Sequence, residues 1–240
     1  MARVALVTGG QRGIGAGISE HLKQAGRTVV ASYASNAAAA KAFTERTGIP
    51  CYKFDVADYD QCVDAIARIE QEVGPLDIVV NNAGITRDAV IHKMAREHWD
   101  SVILTNLGSC FNVCRVVWEG MRTRKWGRIV NIGSVNGQAG QFGQVNYSAA
   151  KSGIHGFTKA LAQEGARYGI TVNAIAPGYV DTEMVRAVPE DVLQKIIARI
   201  PVGRLGHVED IARGVLFLTA DDADFITGST LSINGGQHMY

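Results

Sequence analysis

The chain of 240 residues has little net charge, few cysteines, few prolines and no long apolar run, and each shortage excludes a class of function. A formal charge of +1 gives no whole-chain attraction for nucleic acid, and no basic–aromatic array replaces it. The four cysteines (Cys51, Cys62, Cys110 and Cys114) form neither a Cys-x-x-Cys pair nor a dense disulfide framework. Cys110 and Cys114 can share a helix face, but no histidine pattern accompanies them, so no metal is expected. Reduced, partly buried thiols fit a cytoplasmic protein. No apolar stretch approaches a membrane span, and MARVALVTGG reads as a first strand rather than a signal peptide. With no Pro- or Ser-rich linker, residues 1–240 read as one domain, long enough to bury a sizeable core.

What the chain does have is 27 glycines and a regular alternation of strand and helix patterns. Short runs rich in β-branched residues read as strands at 2–8, 27–33, 49–54, 76–82, 127–132, 169–175 and 229–233. Between them, helical spacing is found at 14–25, 37–47, 58–72, 106–124, 147–168 and 207–220. Near-continuous apolar strands separated by helices predict an α/β fold: a Rossmann-type, doubly wound, mostly parallel seven-stranded sheet with helices on both faces. The irregular and helical stretch 177–206 contains a small mobile substrate cap, expected at 181–199.

Gly9, Gly13 and Gly15 lie directly after the first strand and before a helix, with Gln11, Arg12 and Ile14 among them. Such glycines permit a tight turn and a close backbone approach to a pyrophosphate, which the helix N-terminus then meets with unpaired amides. The spacing Gly-x-x-x-Gly-x-Gly departs from the Gly-x-Gly-x-x-Gly fingerprint, and no Lys-Ser/Thr follows to make a P-loop. The second strand ends in Ser32, Tyr33, Ala34, Ser35 and Asn36, without the acid that commonly holds an NAD ribose. With Arg12 in the glycine turn to neutralise an added phosphate, NADP(H) is the expected cofactor; the plainer alternative for Arg12 is a solvated surface cation. Asp55 and Val56 stand where an adenine would lie, and Asn82, Ala83 and Gly84 leave the fourth strand at the same sheet edge.

The catalytic equipment is Ser134 just past the fifth strand, followed by Tyr147 and Lys151 four residues apart on one helical face. A hydroxyl, a phenol and an ammonium brought together can move a proton onto a carbonyl oxygen while a hydride arrives at its carbon. Alone, Tyr-x-x-x-Lys is a weak signal; behind a nucleotide fold it gains weight.

With TGGQRGIG at 8–15, Asp55-Val56, NNAG at 81–84, Asn106, Ser134, YSAAK at 147–151, Pro177-Gly178 and Thr182 in this order, the chain resembles the short-chain dehydrogenase/reductase family over essentially its whole length. The resemblance implies that Asn106 supports the helix backbone and a water chain to the lysine, and that Ser134 orients the substrate carbonyl. It further implies that Tyr147 is the acid, while Lys151 binds the nicotinamide ribose and lowers the tyrosine pKa. Pro177, Gly178, Val180 and Thr182 would border the nicotinamide, and hydride transfer would use its pro-S face.

Within the family, NNAGITRDAVIHKM, SVNGQAGQFGQVNYSAAKSGIHGFT, IPVGRLG and SINGGQHM resemble the acetoacetyl-CoA reductases of bacterial polyhydroxyalkanoate synthesis. That likeness implies reduction of acetoacetyl-CoA to (R)-3-hydroxybutanoyl-CoA, a homotetramer, and a substrate pocket drawing on Asp88, Lys93, Gln141, Phe142, Gln144 and Tyr179 beside Ser134 and Tyr147. Loop packing is the plainer reading of Phe142. The alternative substrate is a 3-oxoacyl-[acyl-carrier-protein] of fatty acid synthesis; a steroid or sugar dehydrogenase and a silent dinucleotide sensor stand behind it. Gly133 stands where a second serine is common, a departure expected to affect loop packing rather than chemistry.

Overall fold

Four consecutive apolar residues, Val4–Val7, form the strand β1, and every one of them is buried. In this computed structural model, which describes residues 2–239, β1 is followed by α1 (Gly13–Gln24), β2 (Thr28–Tyr33), α2 (Ala37–Thr47), β3 (Cys51–Lys53), α3 (Tyr59–Glu72) and β4 (Leu76–Asn81). The second half contains α4 (Arg96–Ile103), α5 (Ser109–Arg124), β5 (Gly127–Ile132), α6 (Val135–Ala139), α7 (Val145–Gly165), β6 (Ile170–Pro177), α8 (Glu183–Arg186), α9 (Glu190–Ile197), α10 (Val208–Leu218) and β7 (Thr230–Ile233).

The strands form one sheet in the order β3-β2-β1-β4-β5-β6-β7, and every pairing is parallel. Side chains alternate between its faces, as a two-residue period requires. Leu6, Val79 and Ile129 meet Cys62, Ile66 and Ile69 of α3 and Val113, Val117 and Met121 of α5. Ala5, Ile78 and Val130 meet Ile18 and Leu22 of α1 and Ile211 and Val215 of α10. Covered on both faces, the strands need no polar alternation, which is why they read as continuous apolar runs. Chain direction across the sheet reverses between β1 and β4, so a crevice opens at their carboxyl ends.

Three elements differ from the sequence expectation. The helical region that follows the loop 83–94, its main part expected at 106–124, is one helix from Arg96 to Arg124, with an unexpected π turn at Leu104–Gly108 joining α4 to α5. By length and composition it is apolar enough to cross a membrane, contrary to the reading that no stretch approaches a span; its apolar positions Val113, Cys114, Val117 and Met121 instead cover the sheet. Second, α6 occupies residues assigned to loop, since five residues containing glycine and alanine carry too little periodicity to be seen. Third, α7 starts at Val145, before Tyr147.

Candidate active site

The turn between β1 and α1 is held by contacts that only glycine allows. Gly9 and Gly13 have φ of +61° and +50°, in the left-handed region that side chains rarely occupy. A Cβ on Gly15 would collide with the Gly9 carbonyl and the Asn82 amide. Asn82 Nδ2 donates to the carbonyls of Thr8 (2.9 Å) and Gly9 (3.3 Å), and Thr8 Oγ1 accepts from the backbone N–H groups of Asn82 and Ala83, both at 3.0 Å. The Asn82 side chain therefore fastens the glycine turn to the end of β4. Ser32 does the same from β2, its Oγ accepting from Gly9 N–H at 3.2 Å.

A crevice of about 350 Å³ lies along this edge, lined among others by Gly9, Gln11, Arg12, Gly13, Ile14, Gly15, Ser32, Tyr33, Ser35, Asp55, Val56, Asn82, Ala83 and Gly84. Its far end is lined by Asn106, Ser134, Tyr147, Lys151, Pro177, Gly178 and Thr182. The walls suit a dinucleotide. The first turn of α1 has no acidic residue and Arg12, its N-cap, makes no side-chain capping bond, so the amides are open to an anion. Gln11 Oε1 is buried there without a hydrogen-bond partner. Arg12 is exposed and makes no ion pair among the described residues. Asp55 Oδ1 accepts from Ala57 N–H at 2.9 Å. Asn112 of α5 holds the Val56 carbonyl at 3.0 Å, a support that the sequence reading missed.

At the catalytic end, β5 delivers Ser134 as the N-cap of α6, its Oγ accepting from Asn136 N–H at 3.1 Å. The π turn places Asn106 inward: Nδ2 donates to Ile85 O and Val102 O, both at 2.9 Å, and Oδ1 accepts from Ile85 N–H at 3.1 Å. The Asn106 amide thus clamps the loop after Gly84, where any Cβ would strike its oxygen. Lys151 is 4% exposed, donates to the Ile132 carbonyl at 2.6 Å and sits 5.7 Å from the Tyr147 ring centre.

Burial governs the titration of both groups. It pushes the Lys151 ammonium down to about 8, the nearby Cys110 thiol opposing weakly. It pushes the Tyr147 phenol above its ordinary range, while the Ser134 hydroxyl bond opposes and the charges of Asp88 and Tyr179 reinforce the rise. In the cofactor-free protein, burial outweighs the opposing Ser134 bond at this phenol.

The remaining predicted residues are dispersed. Val180 is buried in the core beneath α10 and bridges to Gly206 by backbone, so its side chain does not line the crevice. Asp88, Lys93, Gln141, Phe142, Gln144 and Tyr179 also lie outside its lining. Gln144 donates to Asp88 at 2.8 Å, Phe142 is 87% exposed and Lys93 is exposed in the single turn Ile91–Lys93. Tyr179 faces a second cavity of about 280 Å³ beside Ile200, Arg204 and Asn234. Phe54, Thr86, Thr105 and Glu183 line the main crevice unpredicted; Phe54, Thr105 and Glu183 had a signal, as neighbours of Asp55, Asn106 and Thr182. Beside Gly133 the His155 ring comes within 3.4 Å of where a Cβ would stand, with its Nε2 buried and unpartnered.

The family model described as "Enoyl-(Acyl carrier protein) reductase" matches residues 9–238. An acetoacetyl-CoA reductase of Rhizobium meliloti (strain 1021) is 65% identical over 240 residues, all of both chains. The chain belongs to the short-chain dehydrogenase/reductase family. Other members of this family are similar at greater distance. An acetoacetyl-CoA reductase of Cupriavidus necator is 51% identical over 99% of this chain and 98% of its own. A 3-oxoacyl-[acyl-carrier-protein] reductase of Escherichia coli (strain K12) is 44% identical over 99% of this chain and 98% of its own. As a short-chain dehydrogenase/reductase this protein is an oxidoreductase using a nicotinamide cofactor, and the crevice just described is where its fold places one.

Proposed function

We propose that this protein reduces acetoacetyl-CoA to (R)-3-hydroxybutanoyl-CoA with NADPH, as a cytoplasmic homotetramer free of membrane and nucleic acid. The observation that carries the substrate is the identity gradient: 65% to an acetoacetyl-CoA reductase against 44% to a carrier-protein reductase, each over nearly the full chain. Arg12 and the acid-free end of β2 support the phosphorylated cofactor.

A bound nicotinamide supplies the hydride for the carbonyl carbon. The chain's own residues do the rest. The glycine turn and the amides of α1 hold the pyrophosphate, and Lys151 offers its ammonium to the ribose. Ser134 donates to the 3-oxo group and holds it against Tyr147, which protonates the oxygen. A phenol raised by burial stays protonated at neutral pH, the form needed for the reductive direction. Alignment of carbonyl and acid in a water-poor crevice is the main contribution of the protein. Residues 181–199, which include α8 and α9, act as the cap of the crevice, a reading supported by Thr182 and Glu183 bordering it.

Steady-state turnover of acetoacetyl-CoA, longer 3-oxoacyl-CoAs and the matching carrier-protein thioester, each with NADPH and NADH, tests this reading. Highest kcat/KM for acetoacetyl-CoA with NADPH is expected. Preference for the carrier-protein thioester would transfer the protein to fatty acid synthesis.

A further inference from the structure

Asn136, Gln144 and Asp88 form a hydrogen-bonded chain whose direction is set by its one charged end. Asn136 Nδ2 donates to Gln144 Oε1 at 2.9 Å, and Gln144 Nε2 donates to Asp88 Oδ2 at 2.8 Å. An ionised carboxylate only accepts, so the Gln144 carboxamide must turn its nitrogen toward Asp88 and its oxygen toward Asn136. Asn136 is itself held in place. Its backbone N–H donates to Ser134 Oγ at 3.1 Å, and its carbonyl accepts from Gly140 N–H at 3.1 Å. Gln144 is the N-cap of α7, three residues before Tyr147, and its carbonyl accepts from Ser148 N–H at 2.8 Å. A carboxamide nitrogen has two hydrogens, and Nε2 makes only the bond to Asp88 among the described residues.

We propose that Asn136 is a specificity-determining positioning residue: by donating to Gln144 Oε1 opposite Asp88, it keeps the second Gln144 N–H available to an oxygen of the acyl thioester. The inference rests on the function proposed above. A 3-oxoacyl thioester offers two carbonyl oxygens in this region, and both only accept. The reversed amide would set oxygen against oxygen. None of the three side chains lines the nucleotide crevice, so the variants remove no side chain from the cofactor's walls.

Two variants separate polarity from simple support. Asn136→Asp leaves Gln144 Oε1 without a donor, between two carboxylates. The double variant Asn136→Asp/Asp88→Asn moves the carboxylate to the opposite end, so the chain is complete again with the amide reversed. For Asn136→Asp, KM for acetoacetyl-CoA is expected to rise about 10-fold, with kcat within about threefold and NADPH affinity unchanged. The double variant is expected to recover the native melting temperature while keeping the raised KM. An unchanged KM in Asn136→Asp, recovery of KM together with melting temperature in the double variant, or parallel loss of NADPH affinity would each overturn the proposal. Should Asn136→Asp fail to fold, the double variant alone decides. Native turnover of the carrier-protein thioester alone would displace the free-CoA reading, and the same series on that thioester would still judge Asn136. Native inactivity on both would end both proposals.

Discussion

Lys151 is the residue on which burial and chemistry conflict most directly. Its folded pKa of about 8 lies below the unfolded value of about 10.4, so burying the ammonium costs about 3 kcal/mol below pH 8. Between the two values the unfolded chain binds more protons than the folded one, and stability rises with pH across that window. Lys151→Met is therefore expected to abolish most turnover and yet to be more stable than the native protein at pH 7. Denaturant unfolding of the cofactor-free proteins at pH 7 and pH 10 should show the gap closing at the higher pH; an equal gap at both would refute the shifted lysine. Arg12, exposed and unpaired, should behave in the opposite manner. Arg12→Ala is expected to leave stability unchanged and to raise KM for NADPH about 10-fold while sparing NADH. At this scale the cofactor residues were legible because a glycine turn is a local backbone device. Asn136 was not, since its partner Gln144 lies across a turn that sequence spacing does not encode.

Between elements, one close tolerance is where α6 crosses α7. A Cβ on Gly137 would lie 2.7 Å from the Lys151 carbonyl carbon and 2.8 Å from its Cβ. The Ser152 hydroxyl also donates to the Gly137 carbonyl, tying the two helices together. Gly137→Ala must push α6, and with it the Ser134 cap, away from the lysine. A loss of about 1–3 kcal/mol in stability is expected, with a larger fall in kcat than in NADPH affinity. Stopped-flow turnover and cofactor titration would check it; unchanged kcat would show that the helices part without moving Ser134. The same contact explains why α6 escaped the sequence reading. It is ordered by packing, not by its own five residues, whereas β1, β4, β5 and β6 declared themselves through burial on both faces. The π turn was equally hidden: an apolar pattern predicts a helix there but not a widened turn at Asn106.

On the whole molecule, two sets of exposed apolar side chains stand out among those left outside the core. Leu104 and Phe111 are each 54% exposed on the long helix, and Phe111 stacks on Tyr59 at 6.5 Å. Phe217 at the end of α10 and the fully exposed Phe225 form the second group. Exposed surface of this kind belongs to interfaces, in accord with the proposed tetramer. Phe111→Glu is expected to halve the particle mass in light scattering while Phe217→Glu weakens a different contact; a single unchanged mass in both variants would count against a tetramer built on these faces. The strand order carries one more consequence, for the birth of the chain. Walking outward from β1, first to β2 and β3 and then to β4, β5, β6 and β7, repeats the order of synthesis. Each strand after the first leaves the ribosome with its neighbour already made. The exception is α1, whose Gly17 is packed against Val208 of α10. A nascent chain therefore completes its sheet almost as fast as it is translated, yet carries the uncovered flank of its nucleotide helix until nearly the last residue is added.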